Sequence, residues 1–378
     1  MKAYKSIFII FVCSLMAGHL DARPQHPITW KGENAEGHIS GRIILDTVAM
    51  TGEESNVDNG ELTDKKGFLL SNARLGFGLK LYKEYDLDIA LDLAGKRKAG
   101  SRTYTYPKLA AASFGTELVG DYLYLKAGYQ KIPGSLDHIV SSNTSQILSH
   151  HRTRFSLLMD SSKELGITLS GRYDLSDGAD PIYVRYWYGA YNGEDIKLGR
   201  GNENDGFLLA GRLDFGMGAA PKETGVVMDD SFNVNLGAYG SLQDGMSTDD
   251  QNFGADFRLS ISKLALYANW QYQKSETKEG VDGAKTAAFP GKWERRFWNV
   301  QLSYLALMDI FEPIVVYSMV DDNIGLDNVG DQTQIYAGLN IYFEEHLSKL
   351  QIAYLKTDEK EGFERKNDQA VIRFQLAF

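Results

Sequence analysis

Apolar and polar residues alternate one by one through most of the chain, and the last ten residues show the pattern clearly. In Gln369–Phe378 the apolar residues Ile372, Phe374, Leu376 and Phe378 occupy every second position. A period of two places successive side chains on opposite faces of a β-strand, so one face of this segment is apolar. Similar segments recur about sixteen times, and this repetition predicts an all-β protein built from one large sheet.

The predicted strands are long enough to cross a membrane. Most contain about 11 to 14 residues, and at a rise of about 3.3 Å and a tilt of about 40° each crosses about 30 Å, the thickness of the hydrocarbon core. Short links alternate with long polar ones, as periplasmic turns alternate with external loops in outer-membrane barrels. We therefore predict a transmembrane antiparallel β-barrel of about 16 strands. These strands are 38–50, 67–81, 86–96, 107–118, 121–131, 163–175, 181–192, 206–217, 231–243, 251–262, 263–274, 295–306, 311–321, 331–344, 347–358 and 368–378.

Charged residues fall on one face of the strands in which the alternation is clearest. A charge at the midplane of the lipid face costs about 2–4 kcal/mol, which explains the segregation and assigns the charged face to the lumen. The predicted lumen row includes Arg74, Arg212, Asp214, Asp256 and Arg258. The predicted lipid row is apolar throughout: Leu69, Ala73, Leu75, Phe77, Leu79 and Leu81; Phe207, Leu209, Leu213, Phe215 and Met217; Phe253, Ala255, Phe257, Leu259 and Ile261.

The N-terminal segment predicts export from the cytoplasm. Lys2 and Lys5 precede an apolar run of about a dozen residues, which is too short for a spanning helix of roughly 20 residues, and small residues follow. We predict a signal peptide over residues 1–22 and a single barrel domain over residues 23–378. Cys13, the one cysteine of the chain, lies in this peptide, so no disulfide is expected in the mature protein.

Composition removes several classes of function. The formal net charge of −10 argues against a nucleic-acid partner. The mean hydropathy of −0.30 is typical of a soluble protein. A barrel exposes only alternate residues to lipid, however, so this value is also compatible with a membrane protein. A soluble β-sandwich array would share the alternation and stays open at this point. No Gly-rich phosphate loop, Gly-x-Ser-x-Gly or His-Glu-x-x-His motif is present, and we predict neither an enzyme nor a cofactor.

Three stretches resemble one family of bacterial porins. They are Gly41-Arg-Ile-Ile-Leu-Asp46, the segment 72–95 that begins Asn-Ala-Arg-Leu-Gly-Phe-Gly, and Leu125-Lys-Ala-Gly-Tyr-Gln-Lys-Ile-Pro-Gly134 followed by Ser141-Ser142. This ordered set resembles the phosphate-selective porin O/P family, most strongly over residues 39–155. The resemblance implies a trimeric sixteen-stranded outer-membrane porin of a Gram-negative bacterium, in contact with the lipid bilayer and lipopolysaccharide.

The resemblance also implies where anions bind. The family's third external loop folds into the lumen as a constriction, and residues 132–162 fit that loop. Lysines and arginines of the inner wall and of this loop attract anions in the family. The corresponding positions are Arg74, Lys126, Lys131, Arg152 and Arg154.

The densest positive cluster of the loop is His150-His151-Arg152-Thr-Arg154. An arginine fork suits phosphate because it donates two parallel hydrogen bonds, so the cluster is either a selectivity filter or a solvated loop edge. Adjacent histidines without a third spaced ligand are a poor metal motif, and no metal is predicted.

The lumen rows also contain aspartates, which leave the ion preference open. General passage of small anions or polar solutes, including phosphate, is the first hypothesis, and an outer-membrane surface, structural or receptor barrel with little channel activity is the alternative. Some of these aspartates lie two positions from an arginine on the same strand face. Such pairs favour salt-bridge ladders between strands over a field across the channel. They are Arg172/Asp174, Arg212/Asp214 and Asp256/Arg258. The predicted lumen aspartates are Asp86, Asp88, Asp92, Asp174, Asp214 and Asp256.

The chain end resembles the signal by which barrels are recognised during assembly. Phe378 is the last residue, and Phe374 lies on the same predicted face. We therefore expect the outer-membrane assembly machinery to be a partner of this protein.

Overall fold

The structure is a computed structural model. It describes residues 28–50, 67–99, 102–140, 144–147, 163–193, 206–221, 223–224, 232–245, 248–278, 292–307, 309–324, 331–360 and 368–378. These residues form seventeen strands and one short helix, α1 (Leu136–Ile139). The strands are β1 (Ile28–Lys31), β2 (Ala35–Met50), β3 (Gly67–Leu81), β4 (Tyr85–Ala99), β5 (Arg102–Val119), β6 (Leu123–Lys131), β7 (Lys163–Asp174), β8 (Ile182–Tyr191), β9 (Leu208–Gly218), β10 (Asn233–Asp244), β11 (Thr248–Ile261), β12 (Leu264–Thr277), β13 (Lys292–Tyr304), β14 (Phe311–Asp321), β15 (Gln332–Glu344), β16 (Ser348–Glu359) and β17 (Gln369–Ala377).

Strands β2 to β17 form a closed barrel. Each strand pairs antiparallel with the next, and β17 returns to β2 with Gln369 opposite Met50 and Ala377 opposite Arg42. The predicted fold class is confirmed, and every predicted strand corresponds to one of these sixteen. β1 was not predicted, because four residues are too few to show an alternation. It pairs with Glu36–Ile39 of β2, beyond the point where β17 ends.

The last residue completes the closure of the barrel. Phe378 donates its backbone N–H to the Gly41 carbonyl and accepts from the Gly41 N–H, both at 2.9 Å. Its ring lies directly over Gly41, where an added Cβ would be only 2.3 Å from two ring carbons. A glycine is therefore required at this position by the close approach of the terminal aromatic.

The barrel is apolar outside and polar inside. On β9, Leu213 and Phe215 are 55% and 54% exposed, whereas Arg212 and Asp214 between them are 3% and 0% exposed. Strand β11 repeats the pattern, with exposed Phe253 and Ile261 and buried charged residues between them. Exposed apolar side chains in alternation are the pattern of a lipid-facing surface.

One predicted face is wrong at the start of β3. A β-bulge lies opposite Ile44 and Leu45 of β2, where Ser71 has no partner in the register. The extra residue shifts the alternation by one, so Leu69 pairs with the buried Asp46 and lies on the lumen face. Phe68 and Leu70 take the outer face instead, at 90% and 43% exposed. A period-two reading cannot show a bulge, since both sides of it alternate regularly.

Tight turns with left-handed residues lie at one end of the barrel. Tyr82 and Lys83 between β3 and β4 have φ of 49° and 63°, and Ser262 between β11 and β12 has φ of 50°. Left-handed backbone lets these links reverse the chain within a few residues. Among the described residues, no helix has the length and apolar character required to cross a bilayer.

Candidate functional site

The loop that follows β6 folds into the barrel, as far as the structure describes it. This constriction loop comprises residues 132–162, of which 132–140 and 144–147 are described. Arg212 Nη1 on β9 donates to the Gly134 carbonyl at 2.9 Å. Asp256 Oδ2 on β11 accepts from the Leu136 backbone N–H at 2.8 Å. These bonds fix the first part of the loop to lumen-facing side chains of β9 and β11.

A second set of bonds fixes the described tip, Thr144–Ile147, to the opposite strands. Lys349 Nζ on β16 donates to the Ser145 carbonyl at 2.7 Å. The Gln146 carbonyl accepts from Asn340 Nδ2 on β15 and from Gln351 Nε2 on β16, both at 3.0 Å. Asn340 and Lys349 lie close to the tight turn that joins β15 and β16, so the tip reaches deep into the lumen.

Apolar contacts hold the tip in the same place. Ile147 is 3% exposed and packs in a cluster of inward-facing residues from β14 to β17. This apolar patch would otherwise line a water-filled channel, and its coverage favours the inward position of the loop. The other members of the cluster are Ile314, Val316, Tyr336, Ala353, Leu355 and Val371.

Lys131, a predicted anion ligand, is bonded to the loop itself. Its Nζ donates to the carbonyls of His138, Ile139 and Val140 at 2.9, 3.3 and 2.5 Å. These carbonyls belong to the last turn of α1 and the residue after it. A cation at this position satisfies the helix C-terminus. The structure thus gives Lys131 a contact that shapes the entry of the loop.

Cations collect on the lumen side of β2 to β7, which we call the basic wall. Arg42 on β2 stands directly opposite Arg74 on β3. Lys163 at the start of β7 experiences electrostatic repulsion from both arginines and from Lys108 on β5 and Lys126 on β6. Like charges gathered in this way give one side of the lumen a positive potential.

Two cations of the basic wall form no ion pair within the part of the chain that the structure describes. Arg74 Nε has no hydrogen-bond partner, and no described carboxylate forms an ion pair with this residue. Lys108 is exposed, and its amine bonds to none of the residues that the structure describes. Asp92 lies opposite both in the register, but its oxygens accept from Asn72 Nδ2 at 2.9 Å and from the Ala94 N–H at 3.0 Å.

The other members of the wall have local contacts. Lys126 Nζ lies 3.6 Å from Asp88 Oδ2, and Arg42 Nε donates to Asn72 Oδ1 at 2.9 Å. Lys163 donates to the Ala110 carbonyl. The predicted site residues Arg74 and Lys126 therefore lie in one group with Arg42, Lys108 and Lys163.

Three members of the wall, Arg42, Lys108 and Lys163, were not predicted as site residues. Alternation alone could have placed Arg42 on the lumen row, because Asp46 lies four residues further on the same strand. Lys108 lies between two bulges in the pairing of β4 with β5, and Lys163 is the first residue of β7, so period two gives neither a face. His150, His151, Arg152 and Arg154 lie outside the described residues, so their role stays a prediction.

The predicted lumen aspartates have partners of their own. Arg212 binds Asp256 through two bonds of 2.6 and 2.9 Å, and Arg185 Nη2 donates to Asp214 at 2.6 Å. Asp174 accepts from Arg172 Nε at 2.7 Å. Arg212 also lies 2.6 Å from Asp214 on its own strand. Salt bridges thus account for these carboxylates, and two of the three predicted pairs are present. The third differs, because Asp256 on β11 pairs with Arg212 on β9, across β10, instead of with Arg258. Asp86 accepts from the Tyr124 hydroxyl at 3.0 Å.

No described cluster of three or more His, Cys, Asp or Glu side chains has the arrangement that a metal ion requires. The chemistry available to the lumen is therefore that of charged, amide and hydroxyl side chains around a passage.

The sequence matches a family with the same architecture. Residues 50–198 match the model of the family described as phosphate-selective porin O and P. Residues 50–198 belong to this porin family. The matched segment contains the constriction loop and most of the basic wall, and it confirms the resemblance that the sequence motifs indicate. No curated protein matches the sequence at a significant level.

Solved porin structures share the fold over nearly the whole chain. OmpF of Salmonella typhi, solved with daunomycin, aligns with a TM-score of 0.58 and 14% identity, covering 93% of this chain and 100% of that one. An anion-selective porin from Comamonas acidovorans aligns with a TM-score of 0.55 and 12% identity, covering 91% and 100%. The outer membrane channel DcaP of Acinetobacter baumannii aligns with a TM-score of 0.52 and 15% identity, covering 92% and 99%.

The family match and the closed barrel agree on the class of protein. The chain is an outer-membrane porin, which forms a passive channel in the envelope of a Gram-negative bacterium. The family match implies the function of a channel.

Proposed function

We propose that this porin passes small anions along the basic wall, between β2–β7 and the inward-folded loop, with phosphate as one of its solutes. The observation that carries the proposal is the group of five cations, in which Arg74 and Lys108 form no ion pair with the residues that the structure describes. The bonds of the loop lead to β9, β11, β15 and β16, so the loop leans on the other arc of the barrel.

The mechanism is electrostatic and steric. Positive side chains raise the local concentration of anions in a narrow passage with low-dielectric walls. Arg74 offers a planar fork that matches two oxygens of a phosphate, whereas Lys108 and Lys126 act as point charges. Several weak sites in sequence let an ion enter and also leave. The aspartates that pair with arginines contribute little opposing field. Asp92 bonds to neutral donors and keeps its charge, so it offsets part of the field of Arg74.

The test is the zero-current potential of the refolded protein in a planar bilayer under a KCl gradient. The double variant Arg74→Gln/Lys108→Gln removes both unpaired cations. A unit charge about 8 Å from an ion in water contributes about 0.5 kcal/mol, favourable for an anion and unfavourable for a cation. Removal of two charges should therefore lower the ratio of anion to cation permeability about thirty-fold. Block by added inorganic phosphate should weaken in parallel.

A matched control removes two cations from the tight turns instead. Lys83 lies between β3 and β4, and Lys263 between β11 and β12 pairs with Asp309 at 2.6 Å. Lys83→Gln/Lys263→Gln changes the net charge equally and should leave selectivity unchanged. If both double variants keep the native potential, the basic wall does not select ions. A folded protein without conductance would favour the alternative of a surface or structural barrel.

The same proposal includes a trimer in contact with lipopolysaccharide, since one solved relative by fold, OmpT of Vibrio cholerae, is described as a trimer. It also includes recognition of the C-terminus by the assembly machinery. Deletion of Phe378 removes both bonds to Gly41 and should cause the chain to accumulate in the periplasm. Fractionation of cell envelopes tests this, and normal insertion of the truncated chain would contradict it.

A further inference from the structure

The connection between β9 and β10 also enters the lumen, from the end that carries the tight turns. We call residues 219–224 the cross-mouth segment; all but residue 222 are described. At its start, the Ala219 N–H donates to the Phe232 carbonyl at 3.2 Å, beside β9 and β10. At its far side, the Thr224 hydroxyl lies 3.4 Å from Gln301 Oε1 on β13. The segment therefore reaches across the barrel mouth instead of turning back directly.

The cross-mouth segment meets the tip of the constriction loop. Gln146 Nε2 donates to Glu223 Oε2, and both residues are buried, at 0% and 4% exposed. One arm comes from the loop after β6 and the other from the opposite end of the barrel. The two arms are thus joined inside the lumen by a single carboxylate.

Glu223 is placed among charged groups of the wall. Its Oε2 lies 2.5 Å from His346 Nε2 in the turn between β15 and β16. Lys349 Nζ lies 3.4 Å from the other ring nitrogen, His346 Nδ1.

The remaining charged neighbour faces Lys349 rather than the loop. Glu312 on β14 accepts from Asn340 Nδ2 at 2.8 Å and from the Tyr342 hydroxyl at 2.5 Å. Glu223 therefore bonds to a side chain of the loop tip and also contacts the barrel wall.

We propose that Glu223 is a positioning residue that ties the cross-mouth segment to the constriction loop and so sets the conductance of the porin. A charge-assisted hydrogen bond in a buried site holds its partners more firmly than a neutral one. Without the carboxylate, Gln146 and His346 lose a buried partner, and both arms gain freedom to move in the passage. This role requires that the protein conducts ions, but it does not require the proposed preference for anions.

The first test measures proximity in the folded protein. The variant Gln146→Cys/Glu223→Cys is treated with a bis-maleimide of about 8 Å reach, since a direct disulfide requires backbones within about 7 Å. The chain's only cysteine, Cys13, lies in the predicted signal peptide, so no other thiol competes. We expect a cross-linked species on denaturing gels and reduced, quieter single-channel currents. The pair Gln146→Cys/Lys83→Cys should not cross-link.

The second test removes the tie. Glu223→Ala should raise single-channel conductance and open-channel noise, and Glu223→Gln should fall between Ala and native, since it keeps an acceptor for Gln146 but loses the charge. Glu84→Ala removes one negative charge from another tight turn and serves as the control. Heat-modifiable gel mobility verifies that each variant is folded.

Absence of the cross-link, or a Glu223→Ala channel that behaves like the Glu84→Ala channel, would overturn the inference. These results are independent of the selectivity test. A shifted potential in Arg74→Gln/Lys108→Gln together with unchanged conductance in Glu223→Ala would leave the anion proposal standing alone. The reverse pair of results would leave only the positioning role.

Discussion

The two arcs of the lumen use the same residue types in different ways. On the basic wall, β2–β7, Arg74 and Lys108 have no ionic partner among the described residues. On the anchoring wall, β9–β16, Arg212 is bound to Asp256 and to the loop carbonyl of Gly134, at 2.6 and 2.9 Å. Lys349 likewise donates to the loop carbonyl of Ser145.

The difference shows that charge in a lumen has two separate effects. A cation paired with a buried carboxylate and a carbonyl fixes a loop, and its field on a passing ion is largely cancelled. In the proposed mechanism, a cation without such partners acts on the solute instead. We therefore propose that the pairing of a residue, rather than its type or its face, distinguishes the anchoring wall from the basic wall.

The largest expected effect is on the anchoring wall. Asp256→Ala leaves Arg212 buried without its bidentate partner and removes the acceptor for the Leu136 N–H, so the free energy of unfolding should fall by about 3–5 kcal/mol. Urea titration of the heat-modifiable gel shift measures it. Asp174→Ala is the matched control, because its partner Arg172 is partly exposed and the expected cost is about 0–1 kcal/mol. Equal losses for the two variants would remove the distinction between buried and exposed pairs.

A smaller effect is expected when the salt concentration is raised. Salt should weaken the ion selectivity that comes from the basic wall and leave the buried ion pairs of the anchoring wall intact. The Debye length falls from about 10 Å at 0.1 M to about 3 Å at 1 M, so the cations of the basic wall should lose most of their influence on ions in the water-filled passage. The permeability ratio of the native channel should approach that of Arg74→Gln/Lys108→Gln as KCl rises, while buried pairs and channel stability change little. A preference that persists unchanged at 1 M would indicate a buried binding site instead of a surface potential.

Much of the barrel could be predicted from the sequence because lipid and water impose a strict alternation on each strand. The faces of β9 and β11 follow from it directly, down to the position of Arg212 between two exposed apolar residues. Where a bulge interrupts the alternation, as at Ser71, the prediction for Leu69 is wrong. β1 was not predicted either, because four residues are too few to show an alternation of apolar and polar side chains.

The site was predicted only in part. Arg74 and Lys126 lie on the basic wall, as the resemblance implies, but Lys131 bonds to carbonyls of the loop. The hydrogen bond between Gln146 and Glu223 joins residues 77 positions apart in the chain, and no local sequence pattern predicts it. Contacts between two loops depend on where each backbone turns inside the barrel, which alternation does not encode.

The sequence by itself determined the strand count, the apolar exterior, the polar lumen and the presence of a long loop after β6. These properties follow from residue-by-residue partition between lipid and water, a local physical rule. The tertiary structure decided which charges are paired, where the loop leans, and that a second segment enters from the other end. Those properties depend on distances of a few ångströms between strands far apart in the chain, and only closure of the barrel sets them.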